Sequence, residues 1–244
     1  MMLLFLGECS DEVFGGYPWF FREDLMNTGT FPWSNALTER QNILSPDISK
    51  KINLKEYVDY RYNESLSEVV LLDSDSEETS ERRKIGHLTF NWFMQTLLDR
   101  ADRMAGACDL DVRVPFCDHR LVQYMWNVPW ELKALKGREK GLLRYSMKDI
   151  LPKEIINRKK SPYPKTHNPN YLAVVKKMLQ GILDKNSSPI NGLLNKTYIQ
   201  EIIDTNGNAF TTPFFGQLMT GPQFMAYLIQ FSQWLEKYEP KIIL

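Results

Sequence analysis

The sequence predicts a mainly α fold with one short N-terminal strand, and two observations lead to this prediction. The first is an apolar run, Met1–Leu6, ended by Gly7; it is long enough for a buried strand and too short for a helix. The second is that no similar run follows, while apolar residues elsewhere recur every three or four positions, as on helices. Because a lone strand leaves backbone polar groups without partners, we expect the chain to begin partway through an α/β fold.

The predicted helices carry their apolar residues in stripes. Residues 82–105 are apolar on two faces, which is typical of a helix in a protein interior. Asp118 predicts the N-cap of the next helix, which stops before Pro129. Later stripes predict helices over 142–150, 171–182 and 224–238, and the polar residues 73–80 predict a surface loop.

Composition narrows the classes of function. The 244 residues contain 30 Lys and Arg against 30 Asp and Glu, which argues against nonspecific nucleic-acid binding, because such binding needs an excess of cations. No apolar run approaches the ~20 residues of a membrane span, and no basic segment of a secretory signal is present. Three cysteines, few and odd in number, predict free thiols in a reducing compartment. We therefore expect a soluble, cytoplasmic protein that binds neither nucleic acid nor membranes.

The balanced total charge contains two uneven stretches. Residues 64–81 hold seven acidic and no basic side chains, whereas 133–167 hold eleven basic and three acidic ones. Within the basic stretch, two prolines make Asn157–Lys165 a rigid loop, and its cations suit phosphate or the charge that develops in phosphoryl transfer. The alternative is an exposed basic turn without a ligand, since most charge runs are solvated faces.

Three carboxylates, on Glu8, Asp11 and Glu12, follow the predicted strand. Open α/β sheets bind ligands beyond the carboxyl ends of their strands, and Gly7 lets backbone approach a ligand closely because it has no Cβ. Carboxylates there suit Mg²⁺ bridged to phosphates, or the orientation of an amine. The alternative is a capped helix start, with Ser10 as the N-cap and the acids beside the positive end of the helix dipole.

A further group of charges lies at the end of the 82–105 helix. Asp99 and Arg103, four positions apart, are expected to pair on one helix face. A structural ion-pair network is the favoured interpretation, because charges at the end of an apolar helix need partners. The sequence contains no HExxH, GxSxG, GxxxxGK[ST] or GxGxxG motif, which argues against zinc-protease, serine-hydrolase, Walker and Rossmann sites.

Several blocks of the sequence, in the same order, resemble the glutamine-dependent asparagine synthetases. Gly7–Tyr17 (GECSDEVFGGY) resembles their S-G-E-G-S-D-E-x-F-G-G-Y signature. Residues 100–104 (RADRM) and 112–122 (VRVPFCDHRLV) resemble their R-A-D-R-M and V-R-V-P-F-L-D-x-x-x-V blocks. Residues 137–144 and 158–160 match later blocks, so the likeness covers about residues 3–170 and thins out afterwards.

The resemblance implies both a fold and an activity. The chain is expected to be the C-terminal helical portion of an α/β PP-loop ATP pyrophosphatase domain, of the adenine nucleotide alpha hydrolase-like type. Such enzymes use ATP and Mg²⁺ to convert the side-chain carboxylate of aspartate to β-aspartyl-AMP, with release of pyrophosphate. Ammonia from glutamine then displaces AMP, so aspartate, ATP and ammonia are the implied substrates.

The resemblance also implies roles for single residues. Leu6 and Gly7 are expected to contact ATP, and Asp11 is expected to bind Mg²⁺ at the pyrophosphate. Glu8 is expected to act in forming the acyl-adenylate and in taking a proton from ammonia. Lys160 is expected to stabilise the pentavalent phosphorus centre.

Some expectations concern the edges of this site. Arg100 and Asp102 are implied to lie toward the glutaminase and the ammonia tunnel. Leu6 stands where the family usually has Ser, and Cys9 where it has Gly. Residue 6 would therefore use only backbone contacts, and Cys9 needs a backbone angle that tolerates a Cβ.

The family's S-G-G-x-D-S pyrophosphate loop and its N-terminal catalytic cysteine do not occur in the 244 residues. We therefore expect residues 1–244 to be a partial asparagine synthetase domain that lacks the glutaminase and the PP-loop segment and is inactive alone. Its expected parts are a last core strand with the acidic ATP turn at 1–20, a helical core with the basic loop at 21–170, and a helical extension at 171–244. A homodimer is a further expectation from the family.

Two other functions stay open on the sequence. A β-lactam synthetase-like ligase would use the same adenylation chemistry, although such relatives tend to have Tyr where this chain has Glu8. A non-catalytic helical binding or regulatory module would keep the fold without the chemistry. The joint presence of Glu8, Asp11 and Lys160 favours ATP-dependent amidation of aspartate to asparagine.

Overall fold

The computed structural model describes residues 2–34, 36–161, 168–209, 212–214 and 219–243. By compactness the chain forms two units, the first made of Met1–Gly29 and Asn63–Pro162, the second of Thr30–Tyr62 and Tyr163–Leu244. These units cut across the segments 1–20, 21–170 and 171–244, which stay a prediction. In the described part of the chain, no helix combines the length and the apolar character needed to cross a membrane.

The described elements are two strands and fourteen α-helices, joined by short 3₁₀ turns. The strands are β1 (Met2–Phe5) and β2 (Leu110–Arg113). The helices are α1 (Ser10–Phe14), α2 (Glu23–Met26), α3 (Leu37–Ile43), α4 (Pro46–Lys51), α5 (Leu54–Ser67), α6 (Glu77–Leu88), α7 (Gln95–Gly106), α8 (His119–Trp126), α9 (Trp130–Lys133), α10 (Gly141–Ser146), α11 (Lys153–Asn157), α12 (Pro169–Asp184), α13 (Lys196–Asp204) and α14 (Gly221–Tyr238).

β1 and β2 run parallel in a two-stranded sheet, with Met2 opposite Leu110 and Phe5 opposite Arg113. The mainly α prediction and its N-terminal strand are thus confirmed, and the structure adds β2, which the sequence analysis did not predict. Four alternating residues (LDVR) are too short a pattern to distinguish a strand. The expectation of a buried β1 is wrong: its side chains are 40–66% exposed, because one four-residue partner supplies hydrogen bonds but little covering surface.

The helix predicted over 82–105 is observed as one continuous helical run from α6 to α7. Between them, Thr89–Met94 is π-helical, with helical backbone angles at both joins. The predicted loop over 73–80 is wrong in its second half, because Ser76 caps α6 by accepting a hydrogen bond from the backbone of Thr79 at 3.2 Å. That capping begins the helix inside the polar segment.

Other helix ends agree with the sequence to different degrees. The carboxylate of Asp118 accepts a hydrogen bond from the Arg120 backbone at 2.9 Å, so the predicted N-cap of α8 is confirmed. That helix ends at Trp126, before Pro129 as predicted. The stripe at 142–150 forms a helix only to Ser146 and continues as turns.

The first unit has an aromatic core beside α1. Trp19 is buried, stacks on Tyr17 with ring centroids 4.3 Å apart, and meets Phe93 edge-on at 5.1 Å. Its indole N–H donates to the hydroxyl of Thr89 at 3.2 Å, and that hydroxyl donates to the carbonyl of Ile85 at 2.7 Å. These contacts join the segment after α1 to the π-helical turn.

The second unit has a separate aliphatic core. α12 and α14 form its main helix pair, and α13 packs against α12. Its centre is formed by fully buried side chains from these three helices and from the 3₁₀ turn before α13. They include Leu179, Ile190, Ile199, Ile202, Phe224 and Met225. The helices predicted over 171–182 and 224–238 are confirmed.

Candidate active site

The turn between β1 and α1 carries the predicted acidic residues. The backbone N–H of Leu6 donates to the carbonyl of Arg113 at 2.9 Å, which continues the sheet one residue past β1. Gly7 follows in open surroundings, with no atom within 4 Å of the place where a Cβ would stand. The chain can therefore present bare backbone to a ligand at this point.

Cys9, not Ser10, is the residue before the first turn of α1. Its φ of 70° lies in the left-handed region, which costs a residue with a Cβ roughly 1–2 kcal/mol. The predicted N-cap role of Ser10 is wrong, because its hydroxyl donates instead to the carbonyl of Gly7 at 2.8 Å. The glycine usual at position 9 in the resembled signature would adopt this angle freely.

Two lysines from distant segments converge on Asp11. The Lys160 ammonium lies 2.9 Å from Oδ1 of Asp11 and donates to the carbonyl of Gly16 at 2.7 Å. The Lys140 ammonium lies 3.1 Å from the same Oδ1 and donates to the hydroxyl of Ser10 at 2.8 Å. The three charged side chains are all partly buried, so solvent weakens their attraction less than on an open surface.

Gly16 makes this convergence possible. A Cβ at residue 16 would stand 1.7 Å from Oδ1 of Asp11, well inside contact distance. Only a glycine leaves room for the carboxylate beside the backbone that Lys160 also contacts.

The aromatic ring of Tyr17 contacts the ammonium of Lys160. The ammonium lies 4.2 Å from the centre of the ring, within the range of a cation–π interaction. The hydroxyl of Tyr17 donates to Oε1 of Glu12 at 2.8 Å. Burial raises the pKa of Glu12, and burial together with the neighbouring Glu12 raises the pKa of Tyr17.

Glu8 faces Arg100 from α7. The guanidinium of Arg100 donates to Oε1 of Glu8 at 2.8 Å. The other oxygen, Oε2, is buried and has no hydrogen-bond partner in the described structure. A buried carboxylate oxygen that accepts no hydrogen bond is energetically costly. Its lone pairs are therefore available to a donor on a substrate.

The segment that carries Lys160 is held by Glu139 and Arg144. The backbone N–H of Lys160 donates to Oε1 of Glu139 at 3.2 Å, and Arg144 donates to the same oxygen at 2.9 Å. Arg144 also donates to the carbonyls of Ile156 and Arg158, at 2.6 and 2.9 Å. These bonds fix the backbone of residues 156–160, the first part of the predicted basic loop, of which residues 162–165 lie outside the described structure.

The structure brings most of the predicted site residues into two groups. One joins Asp11 to Lys160, and the other joins Glu8 to Arg100. Leu6 and Gly7 lie at the end of β1, where the prediction puts nucleotide contacts. Asp102 is exposed on α7, in no ion pair that the described residues reveal. The expected pairing of Asp99 with Arg103 is confirmed at 2.7 Å.

The sequence predicts no individual role for Lys140, Glu139 or Arg144. Their only signal is membership of the block 137–144, which matches the resembled family in order. That block contains several charged residues, and nothing in its spacing distinguishes the lysine that turns toward Asp11 from the arginine that holds the loop.

Asp11 fits a magnesium ligand that is completed by a substrate. Mg²⁺ is usually held by one or two carboxylates together with phosphate oxygens and water. Oδ1 of Asp11 is occupied by the two ammonium groups, while Oδ2 has no partner in the described structure. No cluster of three or more His, Cys, Asp or Glu side chains with metal-ligand geometry occurs among the described residues, so the remaining ligands would come from phosphate and water.

Cys9 and Cys117 form a disulfide, with their Cα atoms 5.7 Å apart. The expectation of three free thiols is therefore wrong for these two, whereas Cys108 is free and exposed. The two half-cystines are 108 positions apart, in two different sequence blocks. Nothing local in the sequence indicates that the fold places these blocks side by side.

We expect reduction of this disulfide to lower the free energy of unfolding by about 2–4 kcal/mol, because it closes a long loop in the unfolded chain. Urea denaturation with and without reductant measures the loss, and a Cys108→Ser variant should show the same loss. Under denaturing, non-reducing conditions a thiol titration should find one free thiol in the wild type and none in that variant. Three free thiols in the wild type would contradict the bond.

The fold and the site together define a class of protein. An acidic turn beyond a parallel strand, faced by two ammonium groups from separate segments, is typical of α/β enzymes that act on nucleotide phosphates.

Comparison with known proteins identifies the family. The asparagine synthase family model matches residues 1–236, and the chain belongs to that family. The family has the PP-loop ATP pyrophosphatase fold, which confirms the predicted fold class.

The curated relatives are longer than this chain. Asparagine synthetase [glutamine-hydrolyzing] 3 of Bacillus subtilis is 48% identical over 232 residues, which are 95% of this chain and 38% of the relative. Asparagine synthetase [glutamine-hydrolyzing] 1 of the same organism is 27% identical over 194 residues, 65% of this chain and 30% of the relative. The asparagine synthetase of Gallus gallus is 49% identical over a 67-residue stretch. The chain thus spans about two fifths, or less, of the relatives it matches.

Proposed function

We propose that this chain carries the adenylating side of an asparagine synthetase active site, in which ATP activates the side-chain carboxylate of aspartate for amidation. One observation carries the proposal: Asp11 and Lys160, 149 positions apart, meet in an ion pair at the end of a parallel strand. The names of the relatives, all glutamine-hydrolysing asparagine synthetases, support the choice of substrate.

In the first step, an oxygen of the aspartate side chain attacks the α-phosphorus of ATP. The bond from that phosphorus to the β-bridging oxygen breaks, and pyrophosphate leaves. Lys160 and Lys140 supply positive charge where negative charge accumulates on the phosphoryl oxygens. Their common partner, Asp11, holds both ammonium groups in position before the nucleotide arrives.

In the second step, ammonia attacks the acyl carbon and the carbon–oxygen bond to AMP breaks. The nitrogen must lose one proton to become the amide. We propose that Glu8 accepts this proton at Oε2, the oxygen with no donor in the described structure. Arg100 positions the carboxylate by holding Oε1.

We propose that Asp11 would hold Mg²⁺, which would supply charge neutralisation for the leaving pyrophosphate. Leu6 and Gly7 are proposed to contact the nucleotide through their backbone, which the open space around Gly7 permits. Arg100 and Asp102 are proposed to face the side from which ammonia arrives.

Three further proposals concern the protein as a whole. We propose a cytoplasmic location, where aspartate, glutamine and ATP are available, and a single family domain with segments at 1–20, 21–170 and 171–244. We also propose a homodimer, which analytical ultracentrifugation tests directly. A single sedimenting species of monomer mass at micromolar concentration would reject the dimer.

The experiment that tests the function is aspartate-dependent exchange between ATP and radiolabelled pyrophosphate, measured on the intact protein. Exchange that requires aspartate is the expected result. Exchange that ignores aspartate but responds to a carboxylic acid with an internal amine would indicate a β-lactam synthetase-like ligase. No exchange with any carboxylic acid would favour a non-catalytic module and overturn the proposal.

A further inference from the structure

A cavity of about 260 Å³ lies in the first unit and shares only the α1 segment, including Glu12, with the site described above. Neither Asp11 nor Lys160 lines it. Its walls combine charged side chains with aromatic ones, which include Phe90, Trp126 and Trp130. The volume falls just below the ~300–1,000 Å³ typical of ligand pockets, so a ligand that fills it is small.

The cavity has an amine without a partner. Lys133, at the end of α9, lines the cavity, and its ammonium makes no ion pair or hydrogen bond with the described residues. Arg83 on α6 lies close enough to act on it electrostatically. Burial, with a smaller contribution from Arg83, lowers the pKa of Lys133 to about 8.

Three carboxylates line the cavity, those of Glu12, Asp75 and Glu131, and Arg83 occupies that of Asp75. Oδ2 and Oδ1 of Asp75 accept hydrogen bonds from Arg83 at 2.8 and 3.3 Å, and Oδ2 also accepts the backbone N–H of Leu72 at 2.9 Å. The ammonium of Lys133 forms no ion pair with any described carboxylate, and the positive charge of Arg83 acts on it. An anion in the cavity would remove that imbalance.

The other charged groups around the cavity are already matched or face solvent. Arg82 donates to Oε1 of Glu78 at 2.7 Å and to the carbonyl of Phe20 at 2.7 Å, and its guanidinium lies 4.4 Å from the ring centre of Trp130. Glu12 accepts the hydroxyl of Tyr17, as described above. Glu131 is exposed.

We propose that this cavity binds a small monocarboxylate with a single-ring aromatic body, its carboxylate on the ammonium of Lys133 and its ring among the aromatic walls. The proposal follows from one unmatched cation inside a mostly apolar pocket, which favours one negative charge on an otherwise apolar molecule. It does not depend on the proposed synthetase activity.

The probe for this site is 4-fluorophenylacetate, and its neutral control is 4-fluorophenylacetamide, which has the same ring. Fluorine NMR of each compound with the 244-residue chain measures binding. We expect the carboxylate to bind at least about tenfold more tightly than the amide, because a hydrogen bond to a charged partner is worth that much. We also expect Lys133→Met to remove this preference and Lys133→Arg to keep most of it.

Lys153→Met is the matched control, since Lys153 is an exposed lysine of the same unit outside the cavity. It should bind the carboxylate as the wild type does. The proposal is overturned if the wild type fails to bind the carboxylate, if the amide binds equally well, or if Lys133→Met retains full affinity.

Stability against pH gives an independent measure of Lys133. The pKa of Lys133 in the folded chain is about 8, below the ordinary 10.5, so the unfolded chain binds the proton more tightly. The charged amine therefore destabilises the fold below pH 8. This penalty decreases as the pH rises and disappears by about pH 10.5. We expect Lys133→Met to raise the thermal midpoint by about 3–6 °C at pH 7, with a smaller gain at pH 10. A gain that does not change with pH would show that Lys133 does not titrate in this range. It would also show that the variant acts only through packing.

Discussion

Replacing Lys160 by alanine is expected to reduce asparagine synthesis by the intact protein about 10²–10³-fold, the usual effect of removing one preorganised charge from a transition state. Glutamine hydrolysis should continue at its normal rate, because Lys160 contacts Asp11, Gly16 and Tyr17 and serves the phosphoryl step alone in this proposal. Parallel assays of asparagine and glutamate formation measure the two half-reactions in one preparation.

Lys159→Ala is the control, because the neighbouring side chain is exposed and makes no ion pair in the described structure. It should leave both half-reactions close to normal. Retention of asparagine synthesis in Lys160→Ala would remove the residue from catalysis and favour the non-catalytic alternative. Equal loss of both half-reactions would instead indicate a folding defect, which circular dichroism detects.

Trp19→Ala is expected to destabilise the fold by about 3–5 kcal/mol, the range for deleting a buried aromatic side chain. The residue is 2% exposed, and its ring contacts both Tyr17 and Phe93. Its loss would leave a large cavity and remove the indole donor from the hydroxyl of Thr89. Urea denaturation of the variant and the wild type measures the change.

Tyr124→Ala provides the comparison, since Tyr124 is an aromatic residue of the same unit that is 68% exposed. Its substitution should change stability by less than about 0.5 kcal/mol. A Trp19 variant with the urea midpoint of the wild type would mean that the aromatic stack contributes little to the first unit. Because Tyr17 underlies Lys160, we expect the Trp19 variant to lose activity as well as stability.

Local sequence signals predicted the parts of the fold that depend on neighbours along the chain. The strand β1 follows from an apolar run, and the cap at Asp118 follows from one side chain and the backbone two residues later. Both are short-range effects. β2 could not be predicted in the same way, because its four residues form a strand only where β1 lies beside them.

The same difference between short-range and long-range contacts applies to the residues of the candidate site. Glu8 and Asp11 are three residues apart beyond a strand, so their proximity to a ligand site could be inferred from position alone. The basic loop and the family resemblance predicted that Lys160 belongs to the site. Its contact with Asp11 depends on how the intervening 148 residues fold. Lys140 was not singled out, because a lysine in a basic stretch has no feature that separates a buried partner from a solvated one.

The Cys9–Cys117 disulfide and the π-helical turn likewise could not be predicted from the sequence. Each depends on segments that meet only in the folded chain, and neither has a local signature in this sequence. The left-handed angle of Cys9 differs from these two, since the glycine that the resembled family has at this position was a signal for it.

The sharing of one Asp11 oxygen by two ammonium groups has a consequence for how this protein is handled in solution. Two ammonium groups share one carboxylate oxygen here, so we expect anions to compete for these ammonium groups even when no nucleotide is added. By mass action, inorganic phosphate should raise the melting temperature more than chloride at equal ionic strength. Buffer identity is therefore an experimental variable for this chain, and we expect stabilities measured in phosphate and in an amine buffer to differ.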